Sequence, residues 1–334
     1  MTVIKAALLG FGTVGQGVYE AIQTHSEQLK KLLGASVSVE AVLVKDITKE
    51  RPGVPRELLT DNFNDILSIP DLQIVFEAIV GVEPALGYLK QSIAKGCHIV
   101  TANKVLFAQH GNSLQQEASR KGVTVGFEAT TAGGAPVIRT IKELLRVNKI
   151  SRIEGILNGT SNYILTLMRE ENYTFEAALK LSQEKGYAEA DPENDVEGYD
   201  ALNKLLILSE LAFGEKPDLS VSGVEGITRI TLEDIQKAKK AGQRYRHLVS
   251  AEMTEHGVAA SIKPVLLSED HPLYSVDGVL NAVAITASLA GTVTIKGAGA
   301  GKLPTASAMI EDAAALSGKL QTVQPLSARS LFAG

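Results

Sequence analysis

An α/β protein with at least two domains is the fold class this sequence predicts, and three observations predict it. Apolar strands alternate with amphipathic helices over the first 130 residues. A glycine-rich turn directly follows the first strand, and several short strands without intervening helices come late in the chain. The alternation is the pattern of a doubly wound parallel sheet, and the late strands suit an antiparallel one. At 334 residues the chain exceeds one ordinary domain.

Taken in order, Val3–Leu9 reads as a strand and Val14–Leu33 as one helix, apolar at Val14, Val18, Ile22 and Leu29. Val37–Val44 and Leu72–Ile79 read as further strands, followed by a helix over Pro84–Lys95. His98–Thr101 and Val123–Phe127 are short strands on either side of a helix at Ser113–Lys121, and Pro136–Val147 is a connecting helix. The second lobe opens with a strand at Arg152–Leu157. Helices follow over Tyr163–Arg169, Phe175–Glu184 and Asp195–Phe213. Leu248–Met253, Ala259–Val265, Ala282–Ala287 and Val293–Lys296 read as antiparallel strands, and Thr305–Leu316 as a closing helix. The expected division is 1–130, onto which 305–320 returns, then 131–304, with 321–334 as a tail.

Composition narrows the function. A net charge of −5 argues against a nucleic-acid partner, which needs a basic face. One cysteine, Cys97, rules out an intrachain disulfide framework and suits a reducing compartment. The apolar start of the chain is too short for a secretory signal, and no apolar run approaches the ~20 residues of a membrane span. The expectation is a cytoplasmic protein without a membrane or nucleic-acid partner. The six histidines show no metal-ligand spacing.

Gly10-Phe-Gly-Thr-Val-Gly15 follows a strand and opens a helix, which is the context of a dinucleotide fingerprint. Gly10 permits the tight turn, Gly12 the approach of a pyrophosphate, and Gly15 close helix–strand packing. The first lobe is therefore expected to be a Rossmann-type dinucleotide-binding domain. The second strand ends Leu43-Val44-Lys45-Asp46. If Lys45 is the tip, a 2′-phosphate and NADP fit; if Asp46 is, a 2′-hydroxyl and NAD fit. Lys104, after the strand ending at Thr101, faces the sheet edge where ligands bind.

The densest chemistry lies in Gly186-Tyr-Ala-Glu-Ala-Asp-Pro-Glu-Asn-Asp-Val-Glu-Gly-Tyr-Asp-Ala-Leu-Asn-Lys204. Asp200 and Lys204 stand at i and i+4 on a helix that continues as Leu205-Leu206-Ile207-Leu208. Most such pairs are solvated surface pairs, but a lysine among apolar neighbours suits proton transfer. Two Gly-rich loops complete the set. Phe127–Pro136 reads as a hinge or as a cradle of carbonyls for a hard cation. Gly297–Ser307 alternates glycines as a close-approaching ligand would require.

Gly10–Gly15, Thr101–Lys104, Asn158–Asn162, Gly186–Lys204 and Gly297–Ser307 together closely resemble the homoserine dehydrogenases, a likeness running from Thr2 to about Leu316. The resemblance implies NAD(P)H-dependent interconversion of L-aspartate 4-semialdehyde and L-homoserine, on the route to threonine and methionine. It implies an α/β catalytic and dimerisation lobe behind the Rossmann-type domain, and a homodimer or dimer of dimers. Phe11, Thr13 and Val14 would lie along the dinucleotide, and Gly186 and Gly301 would border the nicotinamide. Glu189 and Asp200 would grip the substrate ammonium. Lys204 would exchange the proton with the reacting oxygen, supported by Lys104. A sodium ion would be held at Glu128, Thr131, Gly133 and Ala135, mostly by carbonyls. NADP(H) is favoured over NAD(H) through Lys45, although the family commonly has arginine there.

Other departures are Val80, where the family usually has a glycine pair, and Thr131, where an aliphatic residue is usual. With the sequence running to Gly334, the expectation is a form without the C-terminal ACT-type domain or the fused kinase of longer members. The resemblance thus predicts at most weak, competitive inhibition by threonine. Two other readings compete. A semialdehyde dehydrogenase would need Cys97 as a nucleophile. A non-catalytic nucleotide sensor would have no use for Lys204.

Overall fold

The computed structural model describes residues 3–217 and 223–320, so the tail expected at Gln321–Gly334 lies outside the described residues. The chain divides into two compact units. The first comprises residues 3–106, 110–127 and 305–320; the second comprises 107–109 and 128–304.

In the first unit β1 (Val3–Leu9) leads through α1 (Thr13–Thr24) and α2 (Ser26–Leu33) to β2 (Ser36–Leu43). The single helix expected over Val14–Leu33 is broken at His25, with φ −113° and ψ 23°. Just before the break, the Thr24 hydroxyl donates to the Glu20 carbonyl at 2.8 Å, a bond that competes with the helical ladder. Next come β3 (Leu59–Thr60), α3 (Phe63–Ser68), β4 (Leu72–Glu77), α4 (Ala85–Lys95), β5 (His98–Thr101), α5 (Lys104–Arg120) and β6 (Val125–Gly126). α5 starts nine residues before the helix expected at Ser113, because the Asn103 side chain caps it by accepting from Leu106 N–H at 3.1 Å. All strands pair in parallel, in the order β3-β2-β1-β4-β5-β6.

The second unit opens with α6 (Val137–Arg139), which passes into a π-helical turn over Thr140–Leu144 where a regular helix to Val147 was expected. Thereafter come β7 (Ile150–Ile156), α7 (Gly159–Glu170), α8 (Phe175–Glu184), α9 (Glu193–Val196), α10 (Tyr199–Phe213) and α11 (Leu232–Lys240). Four strands follow: β8 (Arg244–Thr254), β9 (Gly257–Leu267), β10 (Leu280–Ala287) and β11 (Gly291–Ala298). They join β7 in an antiparallel sheet ordered β11-β10-β7-β8-β9. β10 is thus an interior strand with Ala282–Ile285 buried, so its edge is not free to pair with another subunit. α7 and α11 pack through Ile164, Leu165, Met168 and Ile235. Finally α12 (Lys302–Ala314) returns to the first unit, where Asp312 fits against Gly126: a Cβ on that glycine would lie 2.7 Å from the Asp312 Cβ.

The helix expected over Asp195–Phe213 is two helices. Gly198 separates them at φ +92°, and a Cβ there would lie 2.9 Å from the His247 ring. The break turns Asp200 into a first-turn residue of α10, where a carboxylate meets the positive end of the helix dipole.

Candidate active site

In the first unit the strand order turns back between β1 and β4, and the crevice of such a sheet lies outside the carboxyl ends of those strands. The glycine turn sits there. Gly10 has φ +95° and its N–H donates to the Leu43 carbonyl at 2.9 Å. A Cβ on Gly15 would lie 2.2 Å from the Gly10 carbonyl oxygen, whereas one on Gly12 meets nothing within 4 Å. Thr13 and Val14 form the first turn of α1.

A cleft of about 620 Å³ opens at this edge, lined among others by Gly10, Phe11, Gly12, Lys45, Arg51, Ile79 and Val80. Val80 is 96% exposed, so the valine replacing a glycine stands as a wall of the cleft. Asp46 does not line it. Its Oδ1 accepts from the Thr48 hydroxyl at 2.6 Å and Thr48 N–H at 2.8 Å, and these bonds hold the carboxyl below its ordinary range. Lys104 is half-buried at the start of α5, behind its capping Asn103. Cys97 is fully buried, its thiol donates to the Leu72 carbonyl, and burial pushes its pKa up to about 11. Such a thiol is no nucleophile, which disposes of the acyl-forming alternative.

In the second unit α10 brings Asp200 and Lys204 together, each only 7% exposed. The Lys204 ammonium donates to Asp200 Oδ2 at 2.7 Å and to the Leu157 carbonyl at 2.6 Å. That carbonyl, at the end of β7, also accepts from the Asn281 amide at 3.0 Å. Asn158 occupies the next position. Its side-chain oxygen caps α7 by accepting from Ser161 N–H at 2.8 Å. Its amide nitrogen donates to Asp200 Oδ2 at 2.9 Å and to Asp195 Oδ1 at 2.7 Å. Asp195 was not singled out in the sequence, although it lies inside the Gly186–Lys204 segment. Its carboxyl is held above the ordinary range, first by burial and further by the neighbouring Asp200.

Glu189 is itself exposed, between α8 and α9, and its carboxylate bonds to neither Asp200 nor Lys204. Gly186 is exposed at φ +74°, and Gly301 has φ +124°. In the Glu128–Ala135 loop Glu128 is buried. Its two carboxylate oxygens accept from Ile138 and Arg139 N–H at 2.8 and 2.7 Å, capping α6. Among the described residues the Thr131 hydroxyl is buried without a hydrogen-bond partner, and the Thr131 and Gly133 carbonyls accept no backbone bond. The Ala135 carbonyl already accepts from Val137 N–H at 2.9 Å.

A parallel sheet in dinucleotide-binding order with this glycine turn marks the class as a nicotinamide-dependent oxidoreductase, with a buried lysine–carboxylate pair in its second unit. Family models divide the chain in the same sense. Residues 10–128 match the homoserine dehydrogenase NAD-binding domain, and residues 136–313 match homoserine dehydrogenase. The homoserine dehydrogenase of Bacillus subtilis is 41% identical over 317 residues, covering 95% of this chain and 73% of the relative. A homoserine dehydrogenase crystal structure from Thiobacillus denitrificans superposes with a TM-score of 0.89 at 41% identity, covering 95% of this chain and 74% of that one. A hyperthermophilic archaeal homoserine dehydrogenase solved with NADPH gives a TM-score of 0.80 at 26% identity, covering 96% of this chain and all of that one (100%).

The chain belongs to the homoserine dehydrogenase family. Its reaction is the reversible NAD(P)H-dependent reduction of L-aspartate 4-semialdehyde to L-homoserine. No helix among the described residues is long and apolar enough to cross a membrane.

Proposed function

We propose that Lys204 exchanges the proton with the substrate's reacting oxygen while the nicotinamide exchanges hydride at the carbon. The observation that carries this reading is the buried Lys204 ammonium, fixed at 2.6–2.7 Å by Asp200 and the Leu157 carbonyl. In homoserine oxidation the hydroxyl proton passes to Lys204 in its unprotonated amine form as the hydride leaves. In aldehyde reduction the ammonium returns that proton to the developing alkoxide. Lys104 supports the charge at the reacting oxygen. Gly186 and Gly301 border the nicotinamide, and Phe11, Thr13 and Val14 follow the dinucleotide from Gly10 to Gly15.

Asp200 and Glu189 bind the substrate ammonium, with Asp195 as a further acid linked to Asp200 through Asn158. A charge-assisted bond of this kind contributes ~1.5–3 kcal/mol. Glu189→Gln should therefore raise the KM for homoserine by roughly 10-fold or more. Initial rates with saturating cofactor read it, and an unchanged KM places Glu189 outside the substrate site.

NADP(H) is the preferred cofactor in this reading. Lys45 and Arg51 both line the cleft, and the acid that would read a 2′-hydroxyl, Asp46, is folded into its own turn with Thr48. The NADPH complex of the archaeal relative is in keeping with this. Lys45→Ala should lower the NADPH-to-NADH ratio of kcat/KM by about 10-fold, as expected for one lost charged contact. A ratio equal to wild type removes Lys45 from phosphate recognition.

The Glu128–Ala135 loop suits a sodium ion with a structural role. The Thr131 and Gly133 carbonyls are free of backbone bonds among the described residues, and the buried Glu128 carboxylate caps α6 in the same loop. Glu128 and the carbonyls of Thr131, Gly133 and Ala135 would hold it, and it would supply charge neutralisation to the buried Glu128. A homodimer or dimer of dimers, residence in the cytoplasm, and a place in threonine and methionine biosynthesis complete the proposal.

A further inference from the structure

Glu77 ends β4 and is completely buried, yet the reaction as derived gives it no role. It stands opposite Leu9 in the register of β1 and β4, at the point where the sheet order turns back. Three donors converge on its carboxyl. The Ile79 N–H reaches Oε1 at 2.7 Å, the Asn103 amide reaches the same oxygen at 3.4 Å, and the Thr101 hydroxyl bonds Oε2. Asn103 extends the connection. Its amide donates to the Gly81 carbonyl at 2.6 Å, its backbone N–H donates to the Thr101 hydroxyl at 3.0 Å, and its side-chain oxygen caps α5. One buried side chain therefore joins the turn after β4, which carries Ile79 and Val80 of the cleft wall, to the turn after β5, which leads into α5 at Lys104.

We propose that Glu77 is a positioning residue for dinucleotide binding: its reach, from the end of β4 to Ile79, Thr101 and Asn103, holds the two turns of the cofactor edge in one preformed arrangement. Reach matters here more than charge. Burial pushes the carboxyl up to about 7, against hydrogen bonds that pull it down, and no charged group of the described residues contributes to that balance. Both protonation states keep a hydrogen bond to each of the three partners, although the one to Thr101 reverses direction on protonation and frees that hydroxyl's own proton. Ionised, the carboxylate accepts from all three; protonated, it still accepts at Oε1 and donates from Oε2 to the Thr101 oxygen. A buried polar hub left unsatisfied is costly, so any side chain that cannot span these partners should let the turns separate.

The test compares two substitutions that split reach from charge in the full-length enzyme. Glu77→Gln keeps the length and loses the charge; Glu77→Asp keeps the charge and is one methylene short. NADPH Kd from fluorescence titration, the KM for homoserine and Tm are measured for both. Glu77→Asp should weaken NADPH binding by about 10-fold or more, and Glu77→Gln by no more than about 3-fold, at comparable Tm. Wild-type NADPH affinity in Glu77→Asp, or a loss in Glu77→Gln equal to that in Glu77→Asp, overturns the proposal. If Glu77→Asp does not fold, Asn103→Ala breaks the same link while leaving the carboxyl in place. NADPH binding unchanged in that variant is equally fatal. The proposal rests on the dinucleotide occupying this cleft, which Gly12→Ala tests separately because the added methyl meets nothing within 4 Å, the Glu77 partners included.

Discussion

Lys204→Met should lower kcat for homoserine oxidation by about 10²-fold or more, the range for losing a positioned acid–base group. Methionine is of similar length and apolar, so it fits among Leu205, Ile207 and Leu208, which are buried on the same helix. What it removes is the ammonium between Asp200 and the Leu157 carbonyl. NADPH Kd should change little, because the cleft around Gly10–Gly12 contains no residue of α10. The two readouts separate catalysis from folding. A variant that binds NADPH normally and turns over at the wild-type rate rejects Lys204 as the proton carrier.

The second large effect belongs to the glycine turn, and it differs sharply between two glycines. In Gly15→Ala the new methyl would sit 2.2 Å from the Gly10 carbonyl oxygen, which is backbone and has nowhere to retreat. α1 must shift away from the end of β1, carrying with it the N-terminal amides that, in the proposed reading, hold the pyrophosphate. Overpacking of this kind costs about 1–3 kcal/mol of stability, read as a fall in Tm. Dinucleotide affinity should fall by roughly 10-fold or more as amide contacts to phosphate are lost. Gly12→Ala has open space around its Cβ and an ordinary φ of −78°, so its Tm should stay at the wild-type value while NADPH binding alone weakens. Equal Tm values for wild type and Gly15→Ala would show that the turn does not pack as described.

What the sequence disclosed, and what it hid, follows from the range of the interactions. The glycine turn and the Asp200–Lys204 pair were legible because each is set by local geometry: a strand–turn–helix and one helical turn. The break at Gly198 was not. Gly198 takes a left-handed conformation beside His247, far along the chain, and the sequence Gly-Tyr-Asp reads equally well as helix interior. Asp195 was hidden for the same reason, since only the folded chain brings it to Asn158. α11 escaped because just Ile235 and Ala238 are buried, too few for a clear apolar stripe. Its start was nonetheless written in Thr231 and Asp234, which form a reciprocal capping box. Glu77 could be read only as the last polar residue of an apolar strand. Its partners come from two other turns.

The double use of Asn158 constrains any attempt to redesign this pocket. Aspartate or serine at that position would preserve the cap of α7, yet neither keeps an amide N–H₂ to share between Asp195 and Asp200. Glutamine would retain both kinds of atom but add a methylene at a site 5% exposed, displacing either the helix start or the acids. A protein engineer seeking a wider substrate range should therefore leave position 158 alone, because none of these replacements serves both the helix and the acids.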